Sequence, residues 1–107
     1  MGWCADYPDQ NNWVLENFHT TKSLNNPKWK GAGADKFNQL VEQAAAATDP
    51  EARKKAYFEA EKLLVEDEAV IAPIYYYTRV VCNKPYVQRT YAPMGGEHWN
   101  TWKVLAH

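Results

Sequence analysis

The sequence predicts an α+β protein in which a helical hairpin packs on a small mixed sheet, and three observations carry that prediction. In "DKFNQLVEQAAAAT" the apolar residues Phe37, Leu40, Val41, Ala44 and Ala45 recur at the spacing of a half-buried helix. "TDPE" then breaks the chain and restarts it at once, which joins two helices by a short turn. The run "AVIAPIYYYTRVVC" follows, rich in the β-branched and aromatic residues that suit a pleated surface.

Taken in order, "GWCADY" reads as a short extended segment, and Pro8 biases Tyr7 away from the helical region. Asp9 then serves as N-cap for "QNNWVLENF", a short helix with Trp13, Val14 and Phe18 on one side. "HTTKSLNNPKWKGAG" is a polar loop. After the first long helix, Asp49 as N-cap places Pro50 at the first helical position, where its missing N–H costs nothing. Thr48 with Glu51 offers a competing capping box. The second long helix runs to about Asp67 with Ala56, Ala60, Leu63 and Leu64 inward. Pro73 confines the β-rich run to an edge, a bulge or a strand start. "NKPYVQRTYAPMGGEHWN" is a Pro/Gly/aromatic loop, and "TWKVLA" a last strand.

Composition narrows the function classes. The 107 residues leave room for one domain, and a net charge of −1 provides no basic field to track phosphates, which argues against nucleic-acid binding. No apolar run reaches the length of a membrane span. Cys4 and Cys82 form no C-x-x-C pair and do not fix a compartment. Aromatics make up 14% of the chain, which suits a recognition surface and a small core equally well.

Catalytic chemistry finds no footing, so the chain is expected not to be an enzyme. His19, His98 and His107 stand apart from one another and from the cysteines, and no nucleophile motif or phosphate loop is present. Asp6, Asp9 and Asn11 lack the spacing, glycine and terminal glutamate of a calcium loop, and no cofactor or metal is implied. Asp6 is isolated among aromatic and small residues, where a carboxylate needs a cation or N–H donors. Helix capping or a lysine would satisfy it, and so would a ligand.

Several stretches together are specific. "GWCADYPD", "FNQLVEQA", "DPEARKKAYFEAEKLLVEDEAVIAPIYYYTR", "KPYV" and "WKVLAH" resemble, in the same order and over essentially the whole chain, the C-terminal part of the oligopeptide-binding proteins. These are extracellular or periplasmic solute-binding components of ABC importers. The resemblance implies a C-terminal piece of a two-lobed periplasmic-binding-protein fold of type II, the peptide-binding class. Residues 1–77 would complete the second lobe and residues 78–107 would return to the first.

By the same resemblance, Asp6 would pair with the α-ammonium group of a peptide ligand. Gly2, Trp3, Cys4 and Ala5 would lie along it as an added strand, Trp3 walling a side-chain pocket and Tyr77 lining the lobe junction. In an unbroken strand Trp3 and Asp6 face opposite sides, so both serve one site only if the strand twists or ends by Ala5. Cys4 corresponds to a cysteine that some members bridge to an upstream partner, and a Cys4–Cys82 bridge is not expected. Partners would be a peptide and, through a longer parent, the membrane subunits of the importer. Relatives of this fold also take nickel chelates, sugars or opines. An isolated piece would expose apolar surface and self-associate. The competing reading is a free-standing aromatic-rich module for carbohydrate or protein, using Trp29, Trp99 and Trp102.

Overall fold

The structure, a computed structural model, describes residues 3–91 and 97–107. It separates into two compact units, the first ending at Ile74 and the second beginning at Tyr75.

The first unit is helical. Asp9 accepts from the Asn11 N–H at 2.8 Å and opens α1 (Gln10–Phe18). α2 (Ala32–Ala46) begins behind Gly31, whose φ of 102° puts it in a region that side chains rarely adopt. Of the two caps the sequence offers for α3 (Pro50–Lys62), the structure uses Asp49, which accepts from the Ala52 N–H at 2.9 Å with Pro50 at the first turn. α3 runs on through a π turn, Leu63–Asp67, in which the Glu68 N–H bonds the Leu63 carbonyl.

Val14 and Phe18 of α1, Phe37, Val41 and Ala44 of α2, and Ala56, Tyr57 and Ala60 of α3 form one core with Leu63 and Leu64. Burying each large member stabilises the unit by about 1.5–3 kcal/mol. Within the first unit the hairpin's apolar stripe is thus closed by α1. Two stripe residues turn outward. Trp13 is 46% exposed, because it sits about 100° around α1 from Val14 while Phe18 lies directly one turn on. Ala45 is likewise exposed, about 100° around α2 from the buried Ala44.

The second unit holds the strands. β1 (Val87–Gln88) pairs antiparallel with β2 (Lys103–Val104), Val87 opposite Val104 and Gln88 opposite Lys103. A 3₁₀ turn at Trp99–Thr101 leads into β2. Arg89 lies over the Trp102 ring, 4.2 Å from its centroid, and donates to Glu97 at 2.5 Å.

This corrects two expectations. Among the described residues the sheet is a two-stranded antiparallel ladder, not a mixed one. "AVIAPIYYYTRVVC" carries no regular secondary structure. β-propensity describes fit to neighbouring strands, and a run without a paired neighbour has nothing to fit. β1 was missed because Val87 and Gln88 sit inside a Pro/Gly-rich stretch that reads as loop. Among the described residues no helix is long and apolar enough to cross a membrane.

Candidate functional site

Trp3, Cys4 and Ala5 carry no strand, and the chain bends from Asp6 to Asp9. Among the described residues these three make no backbone hydrogen bond. Residues 3–5 of the segment expected to pair with a ligand carry no strand of their own and end at the bend that begins at Asp6, and Gly2 lies outside the described residues. The bend resolves the problem of opposite faces. Trp3 and Asp6 come to one side chain, that of Asn12 on the first turn of α1.

Asn12 is fully buried and uses its whole amide. Its Oδ1 accepts from the Trp3 indole Nε1 at 3.2 Å and from the Asp6 backbone N–H at 2.9 Å. Its Nδ2 donates to Glu16 Oε2 at 2.8 Å and, more weakly, to Asp6 Oδ2 at 3.4 Å. Glu16 also accepts from the Tyr7 hydroxyl at 2.5 Å. Asp6 and Glu16 thus present two carboxylates around one amide. Among the described residues neither has a basic side chain within ion-pair distance. Sequence reasoning did not single out Asn12 as the residue that joins Trp3 and Asp6. Its signal was slight: a short polar side chain in the first turn of an N-capped helix, just after a bend.

The platform under this segment is braced by Arg53, the arginine of the "DPEAR" helix start. Its Nη2 donates to Asp9 Oδ1 at 2.6 Å and its Nη1 to the Ala44 carbonyl at 2.9 Å, and its guanidinium lies over the Tyr57 ring. Tyr57 donates its hydroxyl to Asn11 Oδ1 at 3.1 Å, and burial pushes its pKa above the ordinary 10.0. One arginine therefore joins the start of α1, the end of α2 and the body of α3.

An open groove of about 480 Å³ runs beside Trp3, lined by Trp3, Glu16, Thr21, Lys22, Ser23 and Leu24. Its loop wall is fixed by His19, almost fully buried, whose Nδ1 accepts from the Thr21 and Lys22 N–H groups at 3.3 and 3.0 Å. His19 Nε2 meets Glu42 Oε1 at 3.0 Å, and Lys22 also pairs with Glu42. Lys22, and after it His19, holds the Glu42 carboxyl below its ordinary value.

The remaining expected site residues are placed as follows. Cys4 is exposed and carries a free thiol, as does Cys82. Ala5 is half-buried. Tyr77 belongs to the second unit, where its exposed ring lies 6.4 Å from that of Tyr75, the i, i+2 neighbour on the same side of an extended chain. The structure does not bring Tyr77 together with Trp3 and Asp6 in one unit. Among the described residues no group of three His, Cys, Asp or Glu could hold a metal ion.

No family model matches the chain, and no solved structure matches it. Several proteins of known role do. The chain is 31% identical over 86 residues to the periplasmic oligopeptide-binding protein of Escherichia coli, covering 80% of this chain and 15% of that protein. It is 36% identical over 87 residues to the periplasmic oligopeptide-binding protein of Haemophilus influenzae, covering 81% and 15%. The dipeptide-binding protein of Bacillus subtilis is 36% identical over 75 residues, covering 70% and 13%. The chain thus spans about 15% of the length of the first two relatives.

Proposed function

The chain is homologous to one segment of the oligopeptide-binding proteins, and from that premise we propose that it forms part of the ligand-capturing surface of a peptide-binding protein serving an ABC importer. Its role is binding and not catalysis, in the periplasm or outside the cell, as the C-terminal part of a two-lobed molecule. The parent's membrane subunits are the transport partners.

The observation that carries the reading is the convergence of Trp3 and Asp6 on Asn12. A carboxylate left without a cationic partner among the described residues, held by a buried amide beside an indole, suits the α-ammonium group of a peptide. Such a charge-assisted bond contributes on the order of 1.5–3 kcal/mol when desolvated. Among the described residues the N–H and C=O groups of Trp3–Ala5 make no backbone hydrogen bond, and they would supply an edge on which an extended peptide adds as a strand. Main-chain bonds of this kind hold peptides irrespective of their side chains.

Calorimetry on the complete two-lobed protein carrying this segment tests the proposal. Asp6→Asn should weaken binding of a tripeptide with a free amino terminus about tenfold or more. Unchanged affinity would exclude the assigned role of Asp6.

A further inference from the structure

We infer that His19 is a pH-sensitive latch on the loop that follows α1. Its neutral ring pins Thr21 and Lys22, and protonation releases both and loosens one wall of the groove beside Trp3.

α1 hands the chain to this loop at His19, whose ring is almost fully buried. Its Nδ1 faces two backbone N–H groups, those of Thr21 at 3.3 Å and Lys22 at 3.0 Å. A backbone N–H can only donate, so Nδ1 carries no proton. The neutral ring keeps its hydrogen on Nε2, toward Glu42 Oε1 at 3.0 Å. Protonation then has one place to go, which is Nδ1. The new N–H would point at two other N–H groups, and both would lose their acceptor against a buried ring.

Glu42 does not offset that loss. Lys22 above all holds its carboxyl in the ionised form. Lys22 Nζ already pairs with Oε1, the same oxygen that His19 Nε2 meets. An imidazolium would thus set a second cation on one oxygen, beside the ammonium group of Lys22. Nε2 donates to Glu42 in either state, so protonation adds no bond there. Among the described residues no other ionised group of α1, α2, α3 or the loop pairs with His19.

The release is local. Asn38 of α2 holds Thr20 through its N–H at 3.1 Å and its Oγ1 at 2.6 Å. At the other end the Asn26 N–H donates to the Asn17 carbonyl at 3.2 Å. Between these anchors Thr21, Lys22, Ser23 and Leu24 line the groove. Besides the His19 ring and the Lys22–Glu42 pair, they are fastened by Ser23 Oγ on the His19 carbonyl and by a long Leu24–Glu16 backbone bond of 3.5 Å. Acid therefore frees the middle of the loop and leaves its ends in place. Nothing in this device depends on the ligand assigned to Asp6.

The experiment is NMR on the isotope-labelled 107-residue protein, between about pH 8 and about pH 5, the range in which histidine titrates. At the upper end, long-range imidazole spectra should show Nε2 protonated and Nδ1 bare. On acidification, amide hydrogen exchange at Thr21 and Lys22, corrected for its intrinsic rate, should accelerate about tenfold or more in step with protonation of the His19 ring. The Thr20 amide, bonded to Asn38, and the core amide of Val41 should not follow. In His19→Asn, whose side chain cannot titrate, the corrected exchange should be equal at both ends of the range, whatever its level.

A proton on Nδ1 at the upper end would overturn the latch. Exchange at Thr21 and Lys22 that ignores the His19 titration would overturn it too, as would a pH dependence that persists in His19→Asn. An acceleration shared by Val41 would mean global unfolding in place of a local release.

Discussion

Arg53 on α3 reaches back to Asp9, the N-cap of α1, and the two side chains meet at 2.6 Å. Both are partly exposed, so their ion pair alone contributes less than about 1 kcal/mol. Each residue does more than pair. Asp9 caps a helix, and Arg53 occupies a terminal carbonyl of α2 and covers Tyr57. Urea denaturation should show Asp9→Ala destabilising the fold by about 1–2 kcal/mol and Arg53→Ala by about 2–3 kcal/mol. The double variant should lose measurably less than the sum. Strict additivity would mean that the contact does not persist in solution.

Asn12 fills its four hydrogen-bonding positions with groups from three other residues. Asn12→Ala leaves the Trp3 indole and the Asp6 N–H without their acceptor, and should cost about 2–3 kcal/mol. Asn12→Asp should be no better, because it sets a third carboxylate beside Asp6 and Glu16. In either variant the Trp3 indole N–H resonance should move toward its solvent-exposed position. An unmoved resonance would place the indole elsewhere.

Tyr57 ties the alkaline limb of stability to one side chain. Its folded pKa lies above the unfolded value because burial penalises the phenolate. Its contribution is therefore fully present below pH 10.0 and is lost as pH rises through the elevated folded value. Tyr57→Phe should flatten the decline in stability above about pH 10 relative to the native chain. A parallel decline in both proteins would show that another group governs it.

Two glycines at the start of α2 should respond in opposite ways. Gly31 sits at φ 102°, so Gly31→Ala should destabilise by about 1 kcal/mol or more although nothing crowds its Cβ position. Gly33 is within the helix, and an added Cβ there meets only the side chain of exposed Glu68, whose free end can swing aside. Gly33→Ala should be neutral or stabilising by up to about 1 kcal/mol. Thermal unfolding of both variants separates backbone strain from crowding.

In the second unit and just before it, Ile74, Tyr75, Tyr76, Tyr77 and Val80 are all exposed, Tyr76 at 97%. An extended run of this composition invites pairing with another chain. Size-exclusion chromatography with light scattering should show concentration-dependent self-association, reduced by Tyr76→Lys. A monomer at all concentrations would support the free-standing module instead.

What the sequence revealed and what it hid follow from the range of the interactions involved. α2, α3 and their caps depend on residues within a few positions of one another, and Phe37, Val41, Asp49 and Pro50 announce them. The Asn12 node and the reach of Arg53 to Asp9 depend on a bend and on helix packing, which no local pattern encodes. The tyrosine run misled for a related reason. Its residues favour a strand, but a strand exists only with a partner.

The contact between Asp6 and a ligand's amino terminus is the centre of the functional account, and a thermodynamic cycle on the complete two-lobed protein tests it most directly. Affinity is measured for one tripeptide, free and N-acetylated, with Asp6 and with Asp6→Asn. If the ammonium rests on Asp6, acetylation costs about tenfold or more in the native protein and little further in the variant. Equal penalties in both proteins would contradict the account.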